Sequence, residues 1–312
     1  MYINKEVLIN EIIRLKNEKN AVILAHYYQD GEIQDIADFV GDSLALAQNA
    51  KKTDAKIIVF AGVNFMAETA KIINPSIKVL IPDILAGCSL ADSCNTNDFK
   101  KFVMNYPDAV VISYINTTAE IKALSDIICT SSNAVKVVNS IKKGRKIIFV
   151  PDRNLGNYVS SILNRELIIW DGACYVHEEF SVEKILELKR KNFEAKIVAH
   201  PECKKQVLII SDFIGSTSAL LKFVKNDNGK KYIVATESGI LHQMKKENPG
   251  KEFIPAPPID SSCGCIDCKF MKLITLKKIY DCLKEEKTEI YIEENIRKKA
   301  EKSILRMLEI SE

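Results

Sequence analysis

The sequence carries little net charge and has no long apolar run. Lys and Arg number 44 and Asp and Glu 41, which leaves a formal net charge of +3. Such a balance disfavours nucleic acid and anionic membranes as partners, and no basic run is interleaved with aromatic residues as single-strand binders require. No segment approaches the roughly 20 apolar residues of a membrane-spanning helix. We therefore expect neither a nucleic acid nor a membrane as a partner.

The N-terminal stretch also lacks the features of a secretion signal. Residues 1–20 contain no uninterrupted apolar segment before a small-residue cleavage site. They predict instead an amphipathic helix with one apolar stripe, formed by Val7, Leu8, Ile12 and Leu15. We therefore expect a cytoplasmic protein, whose thiols stay reduced. Nine cysteines, an odd number, then indicate metal binding, catalysis or packing rather than a disulfide framework.

The chain has enough apolar residues to bury more than one core, since 47% of its 312 residues are apolar. Short β-branched runs alternate with helical patterns along its length, which predicts an α/β fold with parallel sheets covered by helices on both faces. The predicted strands are AVILAHY, KIIVFAG, KVLIPD, AVVISY, KIIFVPD, ELIIWDG, AKIVAHP, KYIVATE and KEFIPAPP.

The nine strands fall into a unit that occurs three times. Its first strand ends in a polar aromatic residue, which is followed by a polar residue two positions later and by a small hydroxyl residue seventeen positions later. The aromatic residues are His26, Tyr114 and His200. The polar residues are Tyr28, Asn116 and Glu202. The hydroxyl residues, each expected to begin a helix, are Ser43, Ser131 and Thr217. The third strand of each unit runs into a cysteine, which is Cys88, Cys174 or Cys268.

This repeat predicts three similar three-layer αβα domains with parallel sheets around a pseudo-threefold axis. We place them at residues 1–89 with the N-terminal helix, at residues 90–175, and at residues 176–312 with the C-terminal helices. Open α/β sheets bind ligands beyond the carboxyl ends of their strands. The three repeated cysteines should therefore converge on one point.

Three converging thiolates favour zinc or an iron–sulfur cluster. Three cysteines leave one coordination position open, which is typical of catalysis rather than of a structural site. The open iron of a 4Fe–4S cluster would act as a Lewis acid toward substrate oxygens. Helix N-termini at the three hydroxyl residues would attract phosphate or carboxylate groups. Proton donors and acceptors at the strand tips are His26, Tyr28, Tyr114, His200 and Glu202.

Several motifs resemble those of the quinolinate synthase family. They are HYYQ, GDSL, AGVNFMAETA, PDRNLG, GACYVHEEF, VAHPEC, GSTSAL, ATESGILHQM and the cysteine-rich loop before MKLITL. The resemblance implies a 4Fe–4S cluster and the condensation of iminoaspartate with dihydroxyacetone phosphate, which releases phosphate and water and forms quinolinate in de novo NAD biosynthesis. It also implies three α/β domains around a pseudo-threefold axis, and functional coupling to L-aspartate oxidase or aspartate dehydrogenase.

The resemblance further implies roles for individual residues. The implied cluster ligands are Cys88, Cys174 and Cys268. The implied catalytic residues are His26, Tyr28, His200 and Glu202. Among these, Tyr28 would assist isomerisation or proton transfer, and Glu202 would be the general base. The implied substrate-binding residues are His26, Ser43, Tyr114, Asn116, Ser131, His200, Glu202, Ser216 and Thr217.

The cysteine-rich loop departs from the Cys-x-x-Cys-x-x-Cys pattern of many relatives. Ser262 occupies the first position and Cys263 is out of phase, whereas Cys265 and Cys268 keep the last spacing. A disulfide switch built on the first two cysteines is therefore in doubt, while the implied ligand Cys268 is not.

Other interpretations stay open at this point. A zinc knuckle of Cys263, Cys265 and Cys268 would lack a fourth ligand. A different iron–sulfur dehydratase and a non-catalytic cluster-based sensor share the three-thiol prediction, although no helix-turn-helix with a basic recognition helix is evident for a sensor. Glu237 and His242 are weaker candidates for the site. The cysteines expected to be ordinary buried thiols are Cys94, Cys129, Cys203 and Cys282.

Overall fold

The computed structural model describes residues 4–260 and 266–311. Within these ranges, twelve strands form three parallel sheets of four strands each, and helices flank every sheet. We call each sheet with its neighbouring helices a unit. In every unit the first strand lies between the second and the third, and the fourth strand follows the third. This arrangement confirms the predicted α/β fold class with three similar αβα layers.

The first unit contains α1 (Lys5–Glu18), β1 (Ala21–His26), α2 (Gly31–Ile36), β2 (Phe39–Gly41), α3 (Ser43–Lys52), β3 (Ile57–Ala61), α4 (Asn64–Ile73) and β4 (Lys78–Leu80). The second contains α5 (Ser89–Asp92), α6 (Thr96–Met104), β5 (Val110–Tyr114), α7 (Ala119–Ala123), β6 (Ile127–Cys129), α8 (Ala134–Ser140), β7 (Ile147–Val150), α9 (Arg153–Leu163) and β8 (Ile168–Ile169).

The third unit contains α10 (Tyr175–Glu178), α11 (Val182–Lys191), β9 (Lys196–Ala199), α12 (Lys205–Ile209), β10 (Phe213–Ile214), α13 (Thr217–Asn226), β11 (Lys231–Ala235), α14 (Ile240–Glu247) and β12 (Glu252–Pro255). After it come a 3₁₀ turn (Met271–Leu273), α15 (Leu276–Glu285) and α16 (Glu294–Ser311).

The sequence missed one short strand in each unit. These strands, β2, β6 and β10, are two or three residues long, and the apolar runs that contain them are no longer than the strands themselves. An aspartate that precedes each of them marks the position. The carboxylates of Asp38, Asp126 and Asp212 each accept the backbone N–H of a residue fifteen positions earlier in the unit's first strand, at 2.8, 2.8 and 2.7 Å. This repeated aspartate is the signal that could have revealed the fourth strand.

The strand order places a crevice at the end of the first strand of every unit. From that strand the chain moves to a neighbour on one side and later to a neighbour on the other, so its carboxyl end is the topological switch point. His26 and Tyr114 are the last residues of β1 and β5, and His200 directly follows β9. The repeated aromatic residues therefore stand where sheets of this kind bind ligands.

Burial explains why the apolar runs form the central strands. All five residues of β3 and all four of β7 are buried, as expected where helices cover both faces of a parallel sheet. Each large apolar side chain buried in this way contributes about 1.5–3 kcal/mol to stability. One continuous core joins the first two sheets to the C-terminal helices, and smaller cores flank the third sheet.

The N-terminal helix differs from its prediction at one position. Leu8, Ile12 and Leu15 are buried, but Val7 is 52% exposed, so including Val7 in the apolar stripe was wrong. Val7 directly precedes Leu8 and is therefore turned about 100° away from it around the helix axis. The buried face of α1 is consequently the narrower i, i+4, i+7 stripe.

The two C-terminal helices pack against the first two units. The helix α15 contacts α1 and β3, and α16 contacts α4, α7, β6 and α8. The domain boundaries at residues 1–89, 90–175 and 176–312, which follow chain order, stay a proposal. No helix in the described ranges combines the length and the apolar character needed to cross a bilayer.

Candidate active site

A cavity lies where the carboxyl ends of the three sheets face one another. Its wall brings together every predicted site residue except Ser216. The predicted residues that line it are His26, Tyr28, Ser43, Cys88, Tyr114, Asn116, Ser131, Cys174, His200, Glu202, Thr217 and Cys268. These residues come from all three units, so the cavity exists only when the units are assembled.

Two of the three hydroxyl residues begin helices, as predicted. Ser43 is the first residue of α3 and Thr217 is the first residue of α13. The prediction is wrong for Ser131, because α8 begins at Ala134 and Ser131 lies in the turn before it. The N-termini of α3 and α13 therefore present partial positive charge to the cavity wall, whereas Ser131 contributes a hydroxyl only.

Ser216 belongs to a hydrogen-bonded node that joins the three units. It caps α13, since its hydroxyl oxygen accepts the Ala219 N–H at 3.3 Å. The Ser132 hydroxyl donates to the Asp42 carboxylate at 2.6 Å and lies 2.9 Å from the Ser216 hydroxyl. Each member of this Asp42–Ser132–Ser216 node is the sequence neighbour of one predicted anion-binding hydroxyl residue. The node therefore joins the three units next to Ser43, Ser131 and Thr217.

We expect Ser132→Ala to lower the free energy of unfolding by about 0.5–1.5 kcal/mol, because Asp42 would lose a hydrogen-bond donor while the exposed position of Ser132 lets water take part of its place. Chemical denaturation followed by circular dichroism measures this change. The matched control is Ser140→Ala, which removes an exposed hydroxyl bonded only to the local Val137 carbonyl. Equal stabilities of the two variants would contradict a structural role for the node.

A chain of buried polar side chains runs along the cavity wall from Tyr28 to Glu202. The Tyr28 hydroxyl lies 2.6 Å from Thr236 Oγ1, which lies 3.0 Å from His177 Nε2. On the other side of the imidazole, His177 Nδ1 lies 3.0 Å from Glu202 Oε2. His200 Nδ1 lies 3.3 Å from the same carboxylate oxygen. Hydrogen bonds join Tyr28, Thr236 and His177, whereas His177 Nδ1 makes no hydrogen bond within the described residues and meets Glu202 as a close polar contact. These groups are the acid–base equipment of the cavity.

The surroundings of these groups set their charges. Burial disfavours the ionised carboxylate of Glu202, but His177 and His200 outweigh that cost and hold its pKa below the ordinary value. Burial lowers the pKa of His26 to about 4, so this imidazole is neutral at pH 7. Burial also raises the pKa of Tyr28 well above its usual value, which keeps its hydroxyl protonated. The cavity thus holds an anionic base beside neutral proton donors.

Two buried oxygens in the wall have no hydrogen-bond partner among the described residues. They are Glu202 Oε1 and Asn116 Oδ1. A buried acceptor without a partner is costly, so these atoms are arranged to receive donors from a ligand.

The three repeated cysteines line the cavity as free thiols. Burial raises the pKa of Cys88 to about 12, and it also raises the pKa values of Cys174 and Cys268. Thiolates at this place therefore need a cation beside them, which a bound metal group supplies. Three unpaired thiols, one from each unit, fit an iron–sulfur cluster with one open position.

A second group of metal donors overlaps the first. One donor atom each from Cys174, His177 and Glu202 lies within 4.8 Å of the other two. A mixed set of sulfur, nitrogen and oxygen donors is typical of zinc, whereas a set of thiols alone also suits iron–sulfur clusters. Metal analysis distinguishes these possibilities.

The remaining cysteines divide into two groups. The four expected to be ordinary buried thiols are indeed free and buried, namely Cys94, Cys129, Cys203 and Cys282. Ser262, Cys263 and Cys265 lie outside the described residues, and with them the proposed zinc knuckle.

The structure adds residues that the sequence prediction did not place in the site. Asp42 and His177 line the cavity, and Thr236 links Tyr28 to His177. Glu237, one of the two weak candidates, also lines the cavity. The position of His177, three residues after Cys174, was an available signal because a helical turn brings such residues together. The other weak candidate, His242, pairs with Asp35 at 3.0 Å and is not among the lining residues.

Fold and site together define an α/β protein whose three sheets meet at a thiol-lined, acid–base cavity, as in a metal-dependent enzyme. The family model described as NadA, quinolinate synthetase A protein, matches residues 10–309. The quinolinate synthase of Microcystis aeruginosa is 59% identical over 97% of this chain and 95% of its own length. Those of Rippkaea orientalis and Thermosynechococcus vestitus are 59% and 56% identical over 97% of this chain, and 93% and 95% of their own lengths. The chain belongs to the quinolinate synthetase A protein family.

Proposed function

We propose that the chain condenses iminoaspartate with dihydroxyacetone phosphate, releases phosphate and water, and forms quinolinate for de novo NAD biosynthesis. The observation that carries this proposal is the meeting of three kinds of group in one cavity of a chain from this family. These are three free thiols, a buried acid–base chain and two helix N-termini. Each is suited to one part of the reaction, which joins two anionic substrates and removes water.

Cys88, Cys174 and Cys268 would hold a 4Fe–4S cluster. When bound, the cluster would supply a Lewis acid that polarises substrate oxygens through its open iron. The thiols support this assignment because each comes from a different unit, none is in a disulfide, and all three line one cavity. Reduced thiols are also the reason for proposing a cytoplasmic location.

The part of the cavity wall formed by Ser43, Ser131 and Thr217 would bind the phosphate and carboxylate groups of the substrates. Ser43 and Thr217 combine a side-chain hydroxyl with the N-terminus of a ten-residue helix, which attracts anions. Ser131 adds a hydroxyl that lies 3.1 Å from His200 Nε2. Asn116, with its unpartnered amide oxygen, would accept a hydrogen bond from a substrate hydroxyl or imine N–H, and Tyr114 lines the wall nearby.

The acid–base chain would move the protons that condensation and dehydration require. Glu202 is held ionised and would take protons from substrate carbon. Tyr28 is held protonated and would donate to a leaving or isomerising oxygen, with Thr236 and His177 returning the proton from the direction of Glu202. His200 would orient Glu202, because its Nδ1 accepts the Glu202 backbone N–H at 3.4 Å, and neutral His26 would accept a hydrogen bond from the triose or donate one to it.

The experiment is an incubation under nitrogen with dihydroxyacetone phosphate and with iminoaspartate made in situ, followed by chromatography for quinolinate. We expect quinolinate only when both substrates are present. Because iminoaspartate must be made continuously, L-aspartate oxidase or aspartate dehydrogenase is the proposed coupled enzyme and serves as its source. Release of phosphate without quinolinate would contradict the proposal and favour another iron–sulfur dehydratase.

A further inference from the structure

An ion pair between Glu237, which is buried, and Lys272, which is partly buried, lies beside Cys268. Glu237, two residues after β11, is fully buried. One of its carboxylate oxygens accepts the Gly239 N–H at 2.7 Å, and the other accepts the Cys268 N–H at 3.2 Å. Lys272 Nζ lies 3.3 Å from that second oxygen. The carboxylate therefore holds the backbone of a predicted cluster ligand and an ammonium group at once.

Lys272 extends this attachment to the segment that carries Tyr28. Its ammonium group donates to the Tyr28 carbonyl at 3.0 Å and lies 3.1 Å from Asp30 Oδ1. Beside it, the Gln29 side-chain amide donates to the Met271 carbonyl at 3.1 Å. One short stretch of the C-terminal chain is thus tied to the turn that follows β1.

The two segments also touch directly. A Cβ atom added at Gly239 would lie only 2.7–2.8 Å from backbone atoms of Tyr28, so a glycine is required for this approach. The Gly239 carbonyl in turn accepts a hydrogen bond from the Gln34 side chain at 2.9 Å. The residues around Glu237 are therefore in close contact with the tyrosine that begins the acid–base chain.

The repeat shows that the fold itself does not require a carboxylate at this place. Glu237 lies two residues after β11, and the equivalent strands of the other units are β3 and β7. The position two residues after β3 is Val63, whose side chain cannot form a hydrogen bond. In the second unit it is Asp152, which caps α9 by accepting the Leu155 N–H at 2.6 Å and also faces the backbone N–H of Cys174. In the third unit Glu237 accepts the Cys268 N–H, and the feature that distinguishes it from Asp152 is its ion pair with Lys272.

We propose that Glu237 and Lys272 are positioning residues that fix Cys268 relative to Tyr28. They align the ligand contributed by the third unit with the acid–base chain that begins in the first unit. This inference rests on the proposed function, because it assumes a cluster at Cys268. Partners that orient metal ligands through hydrogen bonds typically change metal affinity tenfold to a hundredfold when they are removed.

The test compares Lys272→Met with Lys278→Met in the cluster-loaded protein under nitrogen. Lys278 is the matched control because it also ties the C-terminal segment to the first unit, through Asp83, but does not contact Glu237 or Tyr28. Two properties are measured: the rate at which a chelator removes the visible absorbance of the cluster, and the midpoint potential of the cluster.

We expect Lys272→Met to lose the cluster about tenfold to a hundredfold faster than the control, with a more negative midpoint potential because a nearby positive charge is removed. Lys272→Arg, which keeps the charge and the donors, should restore both values toward those of the unchanged protein. Glu237→Leu should also speed the loss, since the Cys268 N–H would then lack its acceptor.

Equal rates and potentials for Lys272→Met and Lys278→Met would overturn the inference. Neither measurement depends on turnover, so a failure of the proposed reaction and a failure of this inference are distinguishable. An unchanged protein that holds the cluster but makes no quinolinate contradicts the reaction alone.

Discussion

Replacing Cys88, Cys174 or Cys268 by alanine is expected to abolish the visible absorbance of the protein purified under nitrogen. The three thiols line one cavity, and each comes from a different unit. Each substitution removes one of the three protein ligands of the cluster. Among the described residues, no fourth cysteine lines the cavity to replace the lost thiol. Absorption spectroscopy together with iron analysis of each variant measures the effect.

Two controls make this prediction specific. Cys282→Ala removes a free, buried thiol that lies near the Lys287 carbonyl at 3.6 Å, away from the cavity, and should leave the absorbance unchanged. Cys263→Ala should also retain the absorbance, because Cys268, which lines the cavity, is the proposed third ligand. Loss of the cluster in Cys263→Ala combined with its retention in Cys268→Ala would show that this ligand assignment is wrong.

The second large effect is expected for the acid–base chain. Tyr28→Phe and Glu202→Gln should each lower kcat by about a hundredfold or more, because each removes a proton donor or acceptor from the reacting centre. Tyr28→Phe takes away the hydroxyl that lies 2.6 Å from Thr236 Oγ1, and Glu202→Gln takes away the ionised base beside His177 and His200. Steady-state kinetics of quinolinate formation give the values.

The matched control for this pair is Tyr27→Phe. Tyr27 is the sequence neighbour of Tyr28, but it packs on the core of the third unit and does not line the cavity. Tyr27→Phe should therefore keep kcat within a few-fold of the original, and all three variants should keep the cluster absorbance. If Tyr28→Phe had the same kcat as Tyr27→Phe, the Tyr28 hydroxyl would have no catalytic role.

The repeat explains why so much of the fold could be predicted from the sequence. Long β-branched runs such as Ile57–Ala61 are buried on both faces and have no alternative environment, so pattern alone identifies them as central strands. The edge strands β2, β6 and β10 were missed because the apolar runs around them are only two or three residues long. The packing of α16 on the first two units could not be predicted either, since an amphipathic face does not specify its partner.

The same distinction holds for the site. His26, Tyr114 and His200 could be placed because each lies at the carboxyl end of the first strand of its unit, where the topology creates a crevice. Thr236 and Ser132 carried no such signal. Their hydrogen bonds reach residues 208 and 84–90 positions away, so their roles exist only after the three units have come together.

The central claim is that thiols from three units hold one iron–sulfur cluster. Iron, zinc and acid-labile sulfide analysis of the protein purified under nitrogen tests it most directly. We predict a brown protein with about four iron and four sulfide per chain. A colourless protein with one zinc per chain and no sulfide would contradict the claim, and would assign the metal instead to the donor group of Cys174, His177 and Glu202.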